Sequence, residues 1–285
     1  MTRLAEIQAH LRSMGELRDI IGAMRSLAGM RMQEAARALP GIRRYTDSIA
    51  SGIADAMMLT SQPQIDSGSG PRALVLFTAE HGFVGGYNER LIEAALASIL
   101  PTDLLFVLGS RGMVTMAEQA HEVAWAHPLA TRTAAAADVA QTLSRELYAR
   151  IARGRIARVD VIYARYVQGS RAAIEQRRVL PLDPSLVKGA KRSQPPLHNL
   201  PPEDLQEKLI AEHVFANLTA AVVESIASEN AARLAAMESA HENISKRLDT
   251  LHRDAGLARQ SEITTEILEL VTAAKAIESD ALRRA

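Results

Sequence analysis

"MESAHENISKRLDTLHRDAGLARQSEITTEILELVTAAKA", Met237 to Ala276, contains one Gly and no Pro. Met237, His241, Ile244, Leu248, Leu251, Ala255 and Ala258 alternate steps of four and three. That is a heptad seam, with His241 its polar exception. After a one-residue slip, Ile263, Ile267, Leu270, Ala274 and Ile277 take up the same beat. Upstream, Leu205, Leu209, Leu218, Val222 and Ile226 share a face, and Pro202, Glu203 and Asp204 suit a helix start. From Glu203 to Ala281 a helix rising roughly 1.5 Å per residue would span on the order of 115 Å. It cannot lie inside a domain about 40 Å across. It must project, and its apolar seam needs a partner.

The opposite end of the chain offers one. Leu4, Ile7, Leu11, Met14, Leu17, Ile21, Met24, Leu27 and Ala28 recur in threes and fours, one stripe of a helix. Gly15, Gly22 and Gly29 recur seven apart on another line. They read either as a groove for a close backbone or as chance in an Ala/Gly-rich sequence. Pro40-Gly41 should kink or interrupt the helix, which resumes through Ile42, Ile49, Ile53 and Met57. The economical solution is an antiparallel coiled coil of the two termini, burying apolar area at about 25 cal/mol per Å². The longer C-terminal helix outreaches its partner, so its last turns need other chains around them.

Between the helices, "SQPQIDSGSGP" (Ser61 to Pro71) reads as a loop. "ALVLFT" (Ala73 to Thr78) and "LLFVLG" (Leu104 to Gly109) read as buried strands, and "HEVAWA" as a third. Helical segments follow: one from Asn88, its expected cap, to Leu100; one from Ser110 to Ala120; and "AAAADVAQTLSRELYARIA". "RVDVIYARYV" and "AIEQRRVLPL" read as a hairpin turning at Gln168-Gly169-Ser170-Arg171. Alternating strands and helices imply parallel pairing by right-handed crossovers. The expected fold class is therefore α/β: a Rossmann-like, mostly parallel sheet domain inserted between two long terminal helices forming an antiparallel coiled coil. The layout is residues 1–60 for the N-terminal coiled-coil helix and 72–182 for the α/β domain. A Pro-rich linker takes 183–202 and the C-terminal coiled-coil helix 203–285.

Composition narrows the chemistry. The 285 residues carry 33 basic and 33 acidic side chains, so net charge gives no argument for nucleic acid or acidic membrane. There is no Cys, which excludes disulfides, thiolate catalysis and Cys-ligated metals and fits a reducing compartment. No signal core opens the chain and no apolar run of about 18 residues interrupts it. A bacterial cytoplasmic protein is the simplest reading. Few aromatics and abundant Ala suggest thin, close-packed helices.

"TAEHGFVGGYNERL" (Thr78 to Leu91) is a Gly-rich strand-to-helix turn, a type that can cradle phosphate. It matches neither G-x-G-x-x-G nor G-x-x-x-x-G-K-[ST]. The structural reading is a tight turn needing positive φ. Glu80-His81 is an acid/base pair only on paper, since adjacent residues rarely face one site; surface residues are the plainer reading. The histidines lack metal-ligand spacing, so no metal, cofactor or catalytic residue is expected. Arg12, Arg18, Arg25, Arg31 and Arg37 are a solvated face or a basic track.

Three motifs carry a family resemblance over nearly the whole chain. "IIGAMRSLAGMRM" (Ile20 to Met32) resembles K-I-T-K-A-M-x-M-V-A-A-S-K-[LM]. "TAEHGFVGGYN" resembles S-D-R-G-L-C-G-x-x-N. "SENAARLAAMESAHENISKRLDTLHRDAGLARQSEITTEILELVTAAKA" (Ser228 to Ala276) resembles S-E-x-x-A-R-x-x-A-M followed by x-N-x-x-R-Q-x-x-I-T-x-E-x-x-E-I-x-x-G. All three are motifs of the gamma-subunit family of F-type ATP synthases.

The resemblance implies a central-stalk rotor without catalytic groups. Its terminal helices form the shaft, and the C-terminal end enters the bore of the alpha/beta hexamer. The α/β domain lies at the foot, near epsilon and the c-subunit ring. It implies partner-binding and coupling roles for Met24, Arg25, Arg31, Arg233, Gln260, Thr264, Glu266 and Glu269. It also implies a place at the cytoplasmic face of the inner membrane, touching membrane only through the complex. There are departures: Asp19-Ile20-Ile21-Gly22 replaces K-I-T-K, and Val84 and His81 replace the turn's Cys and Arg. They mark a divergent member, of the kind expected in an alternative F-type ATPase. The competing reading is a small-molecule-binding α/β enzyme with a coiled-coil oligomerisation arm, resting on the Gly-rich turn. A third is a purely structural adaptor.

Overall fold

A computed structural model describes residues 3–59, 70–170, 172–183 and 196–284, with side chains through Ala274. The expected loop Ser61–Pro71 and the linker 183–202 lie largely outside these residues. In chain order the elements are α1 (Arg3–Ala56), β1 (Arg72–Phe77), α2 (Tyr87–Ser98), β2 (Leu104–Leu108) and α3 (Ser110–Glu118). Then come β3 (Trp125–His127), α4 (Ala136–Ala152), β4 (Arg158–Arg165), β5 (Ala173–Leu180) and α5 (Pro202–Arg284). The chain divides into two compact units, one of Met1–Arg25 with Met237–Ala285 and one of Ser26–Ala236.

The larger unit is built on a five-stranded sheet of order β3-β2-β1-β4-β5. β1 pairs parallel with β2 (Val75 opposite Phe106) and with β4 (Val75 opposite Val161). β2 pairs parallel with β3, and β5 returns antiparallel to β4 with an irregularity between Val159 and Asp160. Side-chain alternation sorts the strands onto two cores. Ala73, Val75, Phe77, Phe106, Val159 and Val161 face Leu143 and Leu147 of α4, Ala35 and Leu39 of α1, and Leu218 and Val222 of α5. Leu74, Leu76, Leu105, Val107 and Ile162 face Leu91, Ile92 and Ala95 of α2 and Met116 of α3. β1 is buried along its whole length, as a central strand covered on both faces must be.

α1 and α5 meet repeatedly within this unit. A Cβ on Gly29 would lie 3.9 Å from Leu234, and one on Gly52 3.6 Å from Leu209. Arg43 pairs with Glu224, and Gln206 donates to the Ala56 carbonyl at 3.0 Å. One residue number rises as the other falls, so the two helices run in opposite directions. Buried Ala28 and Ala35 keep that contact thin. Of the kink or interruption expected at Pro40, the interruption does not occur: α1 runs through this proline. It removes one backbone donor, but Ala35 and Leu39 beside it are buried at 0% and 3% exposure, and that packing holds the helix together. Among the described residues a Cβ on Gly15 or Gly22 would meet nothing within 4 Å, so no described backbone lies close along that part of the glycine line.

In the smaller unit every expected seam residue of α5 from Met237 to Ala258 is buried or half-buried, with Met237, Leu248 and Leu251 fully buried. Leu4, Ile7, Leu11, Met14 and Ile21 of α1 are covered likewise, while Leu17 stays exposed. Arg25 donates to both oxygens of Glu238 at 3.1 and 3.2 Å. α5 also holds an 18-residue window of mean hydropathy 1.3, 61% of it buried within the protein, as befits a core helix.

Candidate partner-binding surfaces and the strand-end junction

The expected contact residues fall into three environments. Gln260, Thr264, Glu266 and Glu269 are exposed in the smaller unit, and the Thr264 hydroxyl donates back to the Gln260 carbonyl at 2.8 Å. Around them Ile263, Ile267, Leu268, Leu270 and Val271 are 48–71% exposed. From Arg259 to Ala274 only Glu262 is even half-buried, so polar and apolar residues alike lack cover from the described residues. Isolated exposed apolar residues mean little, but a contiguous run on one helix marks an interaction surface. Met24 and Arg25 are half-buried in the same unit, and Arg31 is half-buried in the larger one.

Arg233 stands apart, because it is 7% exposed and its bonds are internal. It donates to the carbonyls of His81 and Gly82 at 3.0 and 3.2 Å, to Asn230 at 3.2 Å and to Glu229 at 2.6 Å. The resemblance implied a partner contact; the geometry makes Arg233 a clamp between α5 and the Gly-rich turn.

That turn is positioned differently from expectation. Gly85 takes φ +54° and exposed Phe83 φ +61°, so the tight left-handed turn is present. Asn88 does not cap α2; its Oδ1 accepts from the Ala79 amide at 2.9 Å. Glu80 is not a surface partner of His81. Its carboxylate accepts from the Ser110 amide at 3.1 Å, the Ser110 hydroxyl at 2.5 Å and the Leu129 amide at 2.7 Å. The Glu80 amide in turn donates to Glu229 at 3.1 Å. The Ala79 and Glu80 amides at the start of the turn are thus already taken, and Glu89 adds an acid to the first turn of α2.

Glu224, Ser228 and Glu229 were missed by sequence reasoning. Glu224 accepts from the Tyr166 amide at 2.8 Å, and the Ser228 hydroxyl donates to the Ala164 carbonyl at 2.7 Å. The available signal was two acids and a serine set within the apolar run of Ala221, Val222, Val223, Ile226 and Ala227, where a solvated pattern would not put them. A groove of about 1290 Å³ lies alongside, lined among others by Arg37, Arg43, Val84, Arg90, Tyr166 and Leu234. Below the hairpin, His213 is 8% exposed; burial, then the Arg177 charge, holds its imidazole below the ordinary 6.5. Burial, then Glu207, pushes Tyr148 up to about 12. Among the described residues no three His, Asp or Glu side chains gather as a metal site would require.

A sequence model of the ATP synthase family matches residues 3–277. The ATP synthase gamma chain of Saccharopolyspora erythraea is 27% identical over 98% of this chain and 99% of its own length. That of Gemmatimonas aurantiaca is 28% identical over 98% and 100%. A chain in the Euglena gracilis mitochondrial ATP synthase structure (OSCP/F1/c-ring) superposes with TM-score 0.71 at 15% identity, covering 97% of this chain and 95% of that one. A chain of the Tetrahymena thermophila central stalk and c-ring gives TM-score 0.55 at 17% identity, covering 78% and 99%. At such identities the two structures speak to fold alone.

Proposed function

The chain belongs to the ATP synthase gamma family, and from that premise we propose that it turns as the central-stalk rotor of a rotary ATP synthase. It couples ion flow through a membrane sector to ATP synthesis or hydrolysis in an alpha/beta hexamer. The observation that carries this reading is the uncovered stretch of α5, where Ile263, Ile267 and Leu270 stand 49–71% exposed beside Gln260, Thr264, Glu266 and Glu269. A helix so bare needs a surrounding collar, and the bore of an alpha/beta hexamer is one.

In this reading the terminal helices wind as an antiparallel coiled coil, supported by the opposed numbering of their contacts in the larger unit. Residues 1–60 and 203–285 form the shaft. Residues 72–182 form the foot near epsilon and the c-subunit ring, joined to the shaft through 183–202. Met24 faces the moving lobe of the beta subunits, with Arg25 and Arg31 nearby; Gln260, Thr264, Glu266 and Glu269 contact beta-subunit loops, and Arg233 holds the shaft to the foot. The complex sits at the cytoplasmic face of the inner membrane. Coupling follows from asymmetry: each beta subunit meets a different side of the shaft, and only a difference in interaction between states shifts nucleotide affinity.

Co-expression with alpha and beta subunits should give a stable complex with ATPase activity. Met24→Lys and Gln260→Ala should leave the complex assembled but lower ion movement per ATP. A chain that stays alone in the presence of those subunits refutes the rotor reading, and unchanged coupling in both variants refutes the site assignment.

A further inference from the structure

The strand order reverses between β1 and β4. In open α/β sheets, connections leave in opposite directions at that point, and the crevice beyond the strands' C-terminal ends is where ligands bind. Here those ends are the Thr78–Glu80 turn after β1 and Tyr166 after β4. What stands across them is α5. Glu229 takes the Glu80 amide with Oε2 and Arg233 with Oε1, at 3.1 and 2.6 Å. Glu224 takes the Tyr166 amide with Oε2 and Arg43 with Oε1, at 2.8 and 2.5 Å. Both glutamates are 4% exposed. One oxygen on a strand-end amide and the other on a guanidinium is how an anionic ligand would be held.

We infer that α5 is itself the ligand of this crevice, and that the junction formed by Glu224 and Glu229 transmits turning force between the sheet and α5. The inference rests on the rotor reading. Apolar packing is non-directional and lets a helix slip about its own axis, whereas hydrogen bonds fix direction. The junction also reaches every parallel strand. Glu229 holds Glu80 at the end of β1, and the Glu80 carboxylate holds Ser110 after β2 and Leu129 after β3. Glu224 and Ser228 hold the end of β4, and Arg43 brings in α1. Glu224 and Glu229 are thus positioning residues, acting through the elements they join.

The test compares the parent with Glu224→Gln and with Glu224→Gln/Glu229→Gln. Each is measured as the full chain and in the complete complex reconstituted in sealed vesicles. Hydrogen exchange at the Glu80 and Tyr166 amides should rise about tenfold in the double variant, the loss expected for charge-assisted bonds. Exchange at Val75 and Val161 should stay parental. In the complex ATP hydrolysis should persist while ion movement per ATP falls severalfold. Unchanged exchange, or unchanged ion movement per ATP despite faster exchange, overturns the inference and leaves the rotor reading standing. A parental chain that forms no complex removes the rotor reading itself. Should the double variant not fold, Glu224→Gln alone carries both measurements, since its Arg43 partner is already about half exposed.

Discussion

Replacing Gly109 by Ala puts a Cβ into the Thr78 carbonyl, overlapping its oxygen and 2.7 Å from its carbon, at a φ of +103°. Neither atom yields easily. The Thr78 amide donates to the Leu108 carbonyl at 2.8 Å and its hydroxyl to the same carbonyl at 2.7 Å, so the end of β1 is pinned to the end of β2. Left-handed strain costs a non-glycine about 1–3 kcal/mol and overpacking about as much again, together on the order of 4 kcal/mol. Gly112→Ala meets Thr78 too, but the obstacle is the side chain, with Cγ2 at 2.5 Å, Cβ at 2.7 Å and Oγ1 nearer still. There overpacking of about 1–3 kcal/mol is offset by about 1 kcal/mol of helix propensity. Thr78→Ala removes Oγ1 and Cγ2, so it should relieve most of the clash in Gly112→Ala, where only Cβ at 2.7 Å stays, but in Gly109→Ala only the Oγ1 contact at 2.6 Å, leaving the carbonyl overlap and the backbone strain. Denaturant titration of the purified variants measures both, and Gly109→Ala should lower Tm by about 10 °C. If Gly109→Ala costs less than about 1 kcal/mol, or Thr78→Ala rescues both variants equally, the close approach at the strand ends is wrong.

Ile267→Asp should leave the isolated chain within about 0.5 kcal/mol of the parent, since the side chain is 55% exposed, yet weaken co-purification with alpha and beta subunits. Asp160, 1% exposed, is bound by Arg72 at 3.1 Å and Arg158 at 2.6 Å. Asp160→Ala should cost about 3 kcal/mol by denaturant titration, whereas Glu238→Ala, breaking the half-exposed pair with Arg25, should cost at most about 1 kcal/mol. The folded His213 holds its proton less tightly than the unfolded one, so the unfolded chain binds more protons below pH 6.5. Stability from this group is complete above 6.5 and is lost as pH falls through the lowered folded value. His213→Gln should flatten that part of the stability-versus-pH curve; an unaltered slope would place the imidazole in water.

The sequence by itself determined the periodic parts of this protein. The heptad from Met237 to Ala258 emerges as a covered seam, and the bare continuation through Ile263, Ile267 and Leu270 as an uncovered one, because repeat spacing alone fixes which residues share a helix face. Strand–helix alternation likewise fixed a mostly parallel sheet with one antiparallel edge. Tertiary structure decided what depends on partners far away in the chain. The helix continues through exposed Pro40 because the core packing of Ala35 and Leu39 on its buried face outweighs one missing donor. Asn88 turns from a cap into an acceptor for Ala79, and Glu80 from a surface residue into the tie between Ser110 and Leu129. Glu224, Glu229 and Arg233 find their partners 58 to 181 positions away. Local spacing carries no record of such meetings; they exist only once the sheet has brought its strand ends beneath α5.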